Sequence, residues 1–167
     1  MNFSKIIALI PARSGSKSIK NKNIKKIGKK HLIGFSIETC LKSKFISKIF
    51  VSTDSKKYAA IAKKYGPVEI IFRPKKISDD FSTDYEVIKH AIENIKENYE
   101  FIAHMRPTTP FRKIKEVDLA IKNFINSKYH SLRSVHEMSE TSYKTFEVHN
   151  KKLKTLRNLN YSIDNLN

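Results

Sequence analysis

The stretch Ile6-Ile7-Ala8-Leu9-Ile10-Pro11-Ala12-Arg13-Ser14-Gly15-Ser16-Lys17-Ser18-Ile19-Lys20-Asn21-Lys22-Asn23-Ile24 decides how the chain is read. A short apolar run passes abruptly into cations, hydroxyls and amides. The run predicts a strand buried on both faces, the mark of a parallel sheet. The loop then lies at the carboxyl end of a strand, where open α/β sheets bind ligands. Arg13, Lys17, Lys22, the small hydroxyls of Ser14 and Ser16, and backbone N–H groups are the chemistry that holds a polyphosphate. Two standard phosphate loops do not fit. Lys17 follows Ser16 where a Walker A loop needs Gly, and Pro11 takes the place of its earlier Gly. A dinucleotide fingerprint needs three spaced glycines, and Gly15 stands alone. The plain alternative is a solvated, Lys-rich connection.

Outward from this stretch, strand and helix signals alternate. Strands are predicted at residues 5–10, 48–52, 68–72, 101–105 and 131–136. A helix over 32–41 places Leu32, Ile33, Ile37, Cys40 and Leu41 on one face. A second runs over 55–65, and Gly66 stops it. Thr83-Asp84-Tyr85-Glu86 reads as a capping box opening a third, with Val87, Ile88, Ala91, Ile92 and Ile95 inward. A fourth over 113–126 turns Ile114, Val117, Ala120, Ile121 and Phe124 inward. Residues 145–149 and 152–156 flank Asn150-Lys151, a hairpin turn. The alternation predicts an α/β fold, a mainly parallel Rossmann-like sheet with helices on both faces. Residues 1–140 read as one nucleotide-binding, catalytic-type domain. From residue 141 to 167 the pattern changes to a hairpin and an irregular, Asn-rich end.

Length and charge bound the function. The 167 residues, 40% hydrophobic, are enough for one domain with a real core. The apolar runs are strand-sized, so neither a membrane span nor a signal peptide is expected. The single Cys40 excludes an intrachain disulfide framework. A cytoplasmic protein is the expectation. The formal net charge of +17 invites a nucleic-acid reading. The 33 basic residues are, however, about 27 Lys and about 6 Arg, scattered along the whole chain. Sequence-specific readers of nucleic acid lean on the Arg fork, and no RNA-recognition or zinc-finger motif is present. No dedicated nucleic-acid partner is expected. A basic RNA-binding protein stays as the alternative from another class.

If the sheet is parallel, the loops after its strands meet along one edge. Ser52-Thr53-Asp54-Ser55 follows the second strand. Asp54 either caps the next helix or serves a metal or a sugar hydroxyl. Phe72-Arg73-Pro74 and the polar run from Ser78 to Asp84 follow the third. Ser82 and Thr83 cap a helix whose N-terminus is itself an anion site. Arg106-Pro107-Thr108-Thr109-Pro110-Phe111-Arg112 follows the fourth. Two prolines stiffen it, two hydroxyls offer hydrogen bonds and two Arg bracket it. The histidines lack metal-ligand spacing, and none is assigned to catalysis.

These loops resemble the acylneuraminate cytidylyltransferase (CMP-sialic acid synthetase) family. That family opens on a pattern like I-P-A-R-x-G-S-K-x-[IL]-x-x-K-N. Ile10, Pro11, Ala12, Arg13, Gly15, Ser16, Lys17, Ile19, Lys22 and Asn23 match it. Ser18 and Lys20 stand where the family often has Gly and Pro. A similar S-T-D element, an R-P followed by a Ser/Thr/Asp stretch, and a [QR]-P-T-[ST]-P-[LF]-R loop come in the same order. Gln is usual where Arg106 stands, so that contact changes from amide to cation.

The resemblance implies a nucleotidyltransferase fold. It also implies cytidylyl transfer from CTP to an acidic nine-carbon sugar, giving a CMP-sugar and pyrophosphate. Arg13 and Lys22 are then catalytic. Arg13, Ser16, Lys17, Asn23, Arg73, Ser82, Thr83, Arg106 and Thr108 bind the nucleotide. Lys144 and Arg112 face the sugar. Mg²⁺ is the expected cofactor, with Asp54 a candidate ligand, and a full-length homologue is expected to be a homodimer. Family chains run on beyond Asn165-Leu166-Asn167, with acidic metal-binding residues and part of a dimerisation element there. The resemblance therefore implies an incomplete C-terminal hairpin region, and CTP binding without efficient turnover by these residues alone. Two related readings stand beside it: an inactive nucleotide-binding fragment, and a sibling enzyme using 3-deoxy-manno-octulosonate.

Overall fold

The computed structural model describes residues 5–134 throughout and the backbone of residues 146–149 and 152–155. β1 (Ile6–Pro11) is flanked by β4 (Ile46–Thr53) on one side and β6 (Phe101–His104) on the other, with β5 (Glu69–Phe72) beyond β4. All three pairings are parallel, with Ile10 beside Val51, Leu9 beside His104 and Val51 beside Ile70. β1 is central, so both of its faces are covered. That is why it reads as an unbroken apolar run.

The alternation of side chains along β1 feeds two cores. Ala8 and Ile10 pack with Ile49, Val51, Ile33, Ile37, Cys40, Tyr58 and Ala62. They meet α1 (Leu32–Lys42), α2 (Lys56–Lys63) and, through Val117, α4 (Ile114–Ile125). Ile7 and Leu9 pack on the other face with Phe50, Ile71, Ala91 and Ile95. The helix there is α3 (Asp84–Asn94). Helices on both faces are thus found as predicted. Burial holds the Cys40 thiol in its neutral form, its pKa pushed up to about 12, which fits a core residue.

Local chemistry sets the element ends. Ser55 caps α2, its hydroxyl accepting from the Tyr58 N–H at 3.4 Å. At α3, Thr83 and Glu86 form the full reciprocal capping box. Gly28, at φ 61, turns a small antiparallel pair, β2 (Lys26–Ile27) and β3 (Lys30–His31), which the sequence patterns did not suggest.

Several expectations need correction. Leu41 and Ile92 are 41% and 48% exposed rather than buried. Leu41 instead lies over Gly66, where a Cβ would come within 2.6 Å of its methyl carbon. The inward face of α4 is right, with Phe101 and Phe124 edge-to-face at 5.1 Å, yet none of its residues is fully buried. It packs over β6, which has a strand neighbour on one side only among the described residues. The predicted fifth strand is not formed over 131–134, and residues 135–136 lie outside the described residues. Alternating polarity marks a face and does not supply a neighbouring strand.

The chain divides into two compact units, Met1–Ser131 and Leu132–Asn167; the first stops short of the expected boundary at 140. In the second, β7 (Phe146–His149) pairs antiparallel with β8 (Lys152–Thr155), Val148 opposite Leu153. The hairpin is as predicted, and its turn lies outside the described residues. Among the described residues no helix is long and apolar enough to cross a membrane.

Candidate functional site

The strand order β5-β4-β1-β6 reverses direction at β1. Crossovers from β1 run to one side through β4 and β5, then return to β6 on the other. The loops after β1 and β6 therefore part, leaving a crevice at their carboxyl ends. A cavity of about 180 Å³ opens there, lined by Arg13, Lys22, Asn23, Arg73, Ser82, Arg106 and Thr108. Seven of the residues singled out in the sequence meet in one place. Asp84 and Pro107 line it too, and sequence reasoning had passed over both.

The loop after β1 is held from beneath. The Ala12 N–H donates to the Ser52 carbonyl at 2.8 Å, carrying the β4 pairing one residue further. The Asp54 carboxylate takes the Ser14 N–H at 2.8 Å on one oxygen and the Ser14 hydroxyl at 2.7 Å on the other. Asn23, buried at 6% exposure, donates its amide to the Arg13 carbonyl at 3.0 Å. Asn21, at φ 56, takes the left-handed conformation that Asn tolerates and turns the chain so that Asn23 points inward. The Arg13 backbone is thus fixed, while its guanidinium donates to the Gly15 carbonyl at 3.0 Å and pairs with Asp80.

Arg73 is the least conventional group in the site. It is 6% exposed, its N–H continues the sheet to the Thr53 carbonyl at 3.0 Å, and its Nε has no partner. No carboxylate among the described residues lies within ion-pairing distance of it. Burial lowers its pKa, partly countered by the charge of Asp54 and reinforced by that of Arg13. A buried cation without a full set of partners favours an incoming anion.

The segment after β5 supplies the site's carboxylates. Asp79 Oδ1 accepts from the Phe81 N–H at 3.0 Å, the Ser82 N–H at 2.8 Å and the Ser82 hydroxyl at 2.7 Å. Those hydroxyl and amide donors hold its pKa low. Asp80 pairs with Arg13 and, at 3.1 Å, with Lys17. Asp84 pairs with Arg106 across the cavity mouth. Thr83 spends its hydroxyl on the capping box, so it stands beside the cavity without lining it.

Three more of the expected contact residues lie outside the cavity lining. Arg112 donates to the Arg106 carbonyl at 2.8 Å and to Ser36 Oγ at 3.3 Å. It braces the loop after β6 from behind and lines a separate surface depression with Phe35 and Phe111. Ser16 and Lys17 lie on the loop outside the cavity lining. Lys144 lies outside the described residues. His104, on β6, has its pKa lowered by burial and by the Arg112 charge. It is half-buried, and its Nε2 has no hydrogen-bond partner among the described residues.

Each Asp54 oxygen accepts one hydrogen bond from Ser14 and keeps a further lone pair. Asp80 and Asp84 are committed to cations. Among the described residues no group of three or more His, Cys, Asp or Glu is placed to hold a metal ion.

The sequence matches the cytidylyltransferase family over residues 7–164. The N-acylneuraminate cytidylyltransferase of Escherichia coli O18:K1:H7 is 40% identical over 140 residues, covering 83% of this chain and 33% of that one. The pseudaminic acid cytidylyltransferase of Campylobacter jejuni serotype O:2 is 32% identical over 127 residues, covering 74% of this chain and 55% of that one. The chain thus spans about a third to a half of the length of these relatives. A CMP:2-keto-3-deoxy-manno-octonic acid synthetase solved with CTP superposes with a TM-score of 0.63 at 18% identity, covering 74% of this chain and 48% of that one, a likeness of fold. This chain belongs to the cytidylyltransferase family.

Proposed function

We propose that the protein takes part in cytidylyl transfer from CTP to an acidic nine-carbon sugar, giving a CMP-sugar and pyrophosphate. The single observation that carries this reading is Arg73, a buried guanidinium with no carboxylate partner among the described residues, lining a cavity that Arg13 and Lys22 also line. Such a site favours a polyanion held on several sides. The names of the relatives at 40% and 32% identity supply the cytidine and the nine-carbon acid. The eight-carbon alternative draws on a likeness at 18% identity, which speaks to the fold alone.

In this reading Arg13, Lys17 and Lys22 hold the triphosphate. Arg73 takes an inner phosphate, where its burial strengthens the interaction. Asn23 sets the loop, and Ser82 and Thr108 offer hydroxyls to ribose or base. The sugar's anomeric hydroxyl attacks the α-phosphorus and gives up its proton to solvent; the new P–O bond forms as the bond from the α-phosphorus to the oxygen bridging to the β-phosphorus breaks, and pyrophosphate leaves. Charge moves onto pyrophosphate oxygens, so placement of fixed cations does most of the work. Lys22 and Arg13 would stabilise that developing charge. Lys144 is assigned to the sugar carboxylate by resemblance, and Arg112 acts by bracing the Arg106–Thr108 loop. Mg²⁺ commonly accompanies a triphosphate. The described residues offer it no ligand set, and no step is routed through it.

Titration calorimetry with CTP, UTP, ATP and GTP tests the reading. CTP is expected to bind most tightly, because the loops after β5 and β6 present fixed polar groups beside the phosphate site. Equal affinity for all four would reduce the site to a general polyanion cradle.

A further inference from the structure

Among the described residues Asp80 is the one carboxylate that forms ion pairs with the cations of the phosphate loop. One of its oxygens pairs with Arg13 and the other lies 3.1 Å from Lys17 Nζ. A single anion thus bridges two cations, one oxygen to each, as two oxygens of a di- or triphosphate would. Its placement is built rather than incidental. Asp79 folds the turn around three hydrogen bonds, and the Ser78 hydroxyl donates to the Pro74 carbonyl at 3.0 Å. Gly15, between Arg13 and Lys17, lies against this turn; a Cβ there would be 3.9 Å from the Ser78 carbonyl. The two loops are therefore neighbours, with room at Gly15 for a methyl in ordinary van der Waals contact.

We propose that Asp80 is a tethered competitor for the phosphate site: it neutralises Arg13 and Lys17 when no ligand is bound and must be displaced before a polyphosphate can use them. This rests on the assignment of the β1 loop to phosphate. Asp80 then sets the affinity threshold, because a ligand has to outbid a carboxylate that loses little entropy in binding. It also keeps weaker anions off a strongly basic chain. The turn carrying Asp80 leads through Ser82 into α3, so displacing it moves a residue of the cavity wall.

The test is pyrophosphate binding by calorimetry, with EDTA and again with Mg²⁺, for the parent chain, Asp80→Asn and Glu116→Gln. The last makes the same charge change on α4, outside the site. Asp80→Asn is expected to tighten pyrophosphate by about threefold to tenfold under both conditions, the range for breaking two exposed ion pairs. Glu116→Gln is expected to leave it unchanged. Unchanged or weaker binding by Asp80→Asn would overturn the proposal, as would a loss confined to the Mg²⁺ arm, which would make Asp80 a metal ligand. Equal tightening by Glu116→Gln would reduce it to net charge, and no binding by Asp80→Asn at millimolar pyrophosphate would also end it. The nucleotide reading fails separately, through a lack of preference for CTP, with the Asp80 effect on pyrophosphate intact.

Discussion

The loop after β1 and the segment from Asp79 to Asp84 reach the same cations by opposite means. The first is held by hydrogen bonds from below: Asp54 to Ser14, Asn23 to the Arg13 carbonyl, Ala12 to the sheet. None of these bonds uses a cationic side chain of the site. The second is held across the opening by ion pairs, Asp80 to Arg13 and Lys17, and Asp84 to Arg106. Each of those does use such a group. One region can therefore stay as it is when an anion enters, and the other has to change partners. Fixed placement and exchangeable charge are divided between two loops.

The sharpest way to break this contrast is Arg73→Met. The neutral side chain removes a buried charge that has no carboxylate partner among the described residues, so the thermal midpoint is expected to rise. CTP affinity should fall by about tenfold to a hundredfold, the weight of a charge-assisted contact of about 1.5–3 kcal/mol. A stable variant that still binds CTP like the parent would remove Arg73 from the site. Arg13→Ala should cost less, about tenfold, because its loss also frees Asp80 from one of its partners. A larger loss than that of Arg73→Met would show that the exposed cation, and not the buried one, dominates.

Asp54→Asn probes the fixed region instead. An amide can accept from Ser14 on one side only, so about 1 kcal/mol of stability should be lost in urea unfolding. Pyrophosphate affinity should change little, since no contact to phosphate is removed. The smallest expected effect is a titration. Arg13, followed by Lys17, holds the Asp80 carboxyl below the usual carboxylate range. A depressed pKa gives stabilisation that is complete above the unfolded value and lost as pH falls through the folded one. An NMR titration of the Asp80 carboxyl should therefore inflect below the ordinary Asp value, and Arg13→Ala should move that inflection upward. An ordinary value in the parent would mean that the bridge is not populated in solution.

Much of this was legible because it is local or periodic. The apolar run at Ile6–Pro11 announced a central parallel strand, and Thr83 with Glu86 announced the start of α3. The loops could be brought together because a parallel sheet puts every strand's carboxyl end on one edge. The pairing partners were not legible. Asp80 and Arg13 are distant in sequence, and a Lys-rich chain offers any carboxylate many candidate cations. Arg112 has a charge suited to a sugar acid, but its direction depends on where Ser36 of α1 lies beneath the β6 loop. The segment 131–136 alternates correctly and still forms no strand over 131–134, because alternation carries no information about a neighbour.

The central place of β1 bears on how the chain is made. Its neighbour on one side, β6, begins at Phe101, after β4 and β5 in the order of synthesis. Until residues 101–104 have emerged from the ribosome, one edge of β1 has no partner, and the crevice between the two strands does not exist. Pairings of this kind close long loops and are slow relative to local structure. β1, β4 and β5 with their helices can assemble earlier, through contacts nearer in sequence. The binding crevice then forms after the β5-β4-β1 part of the sheet, and a nascent chain arrested before β6 would carry Arg13, Lys22 and Arg73 without the wall that makes them a site.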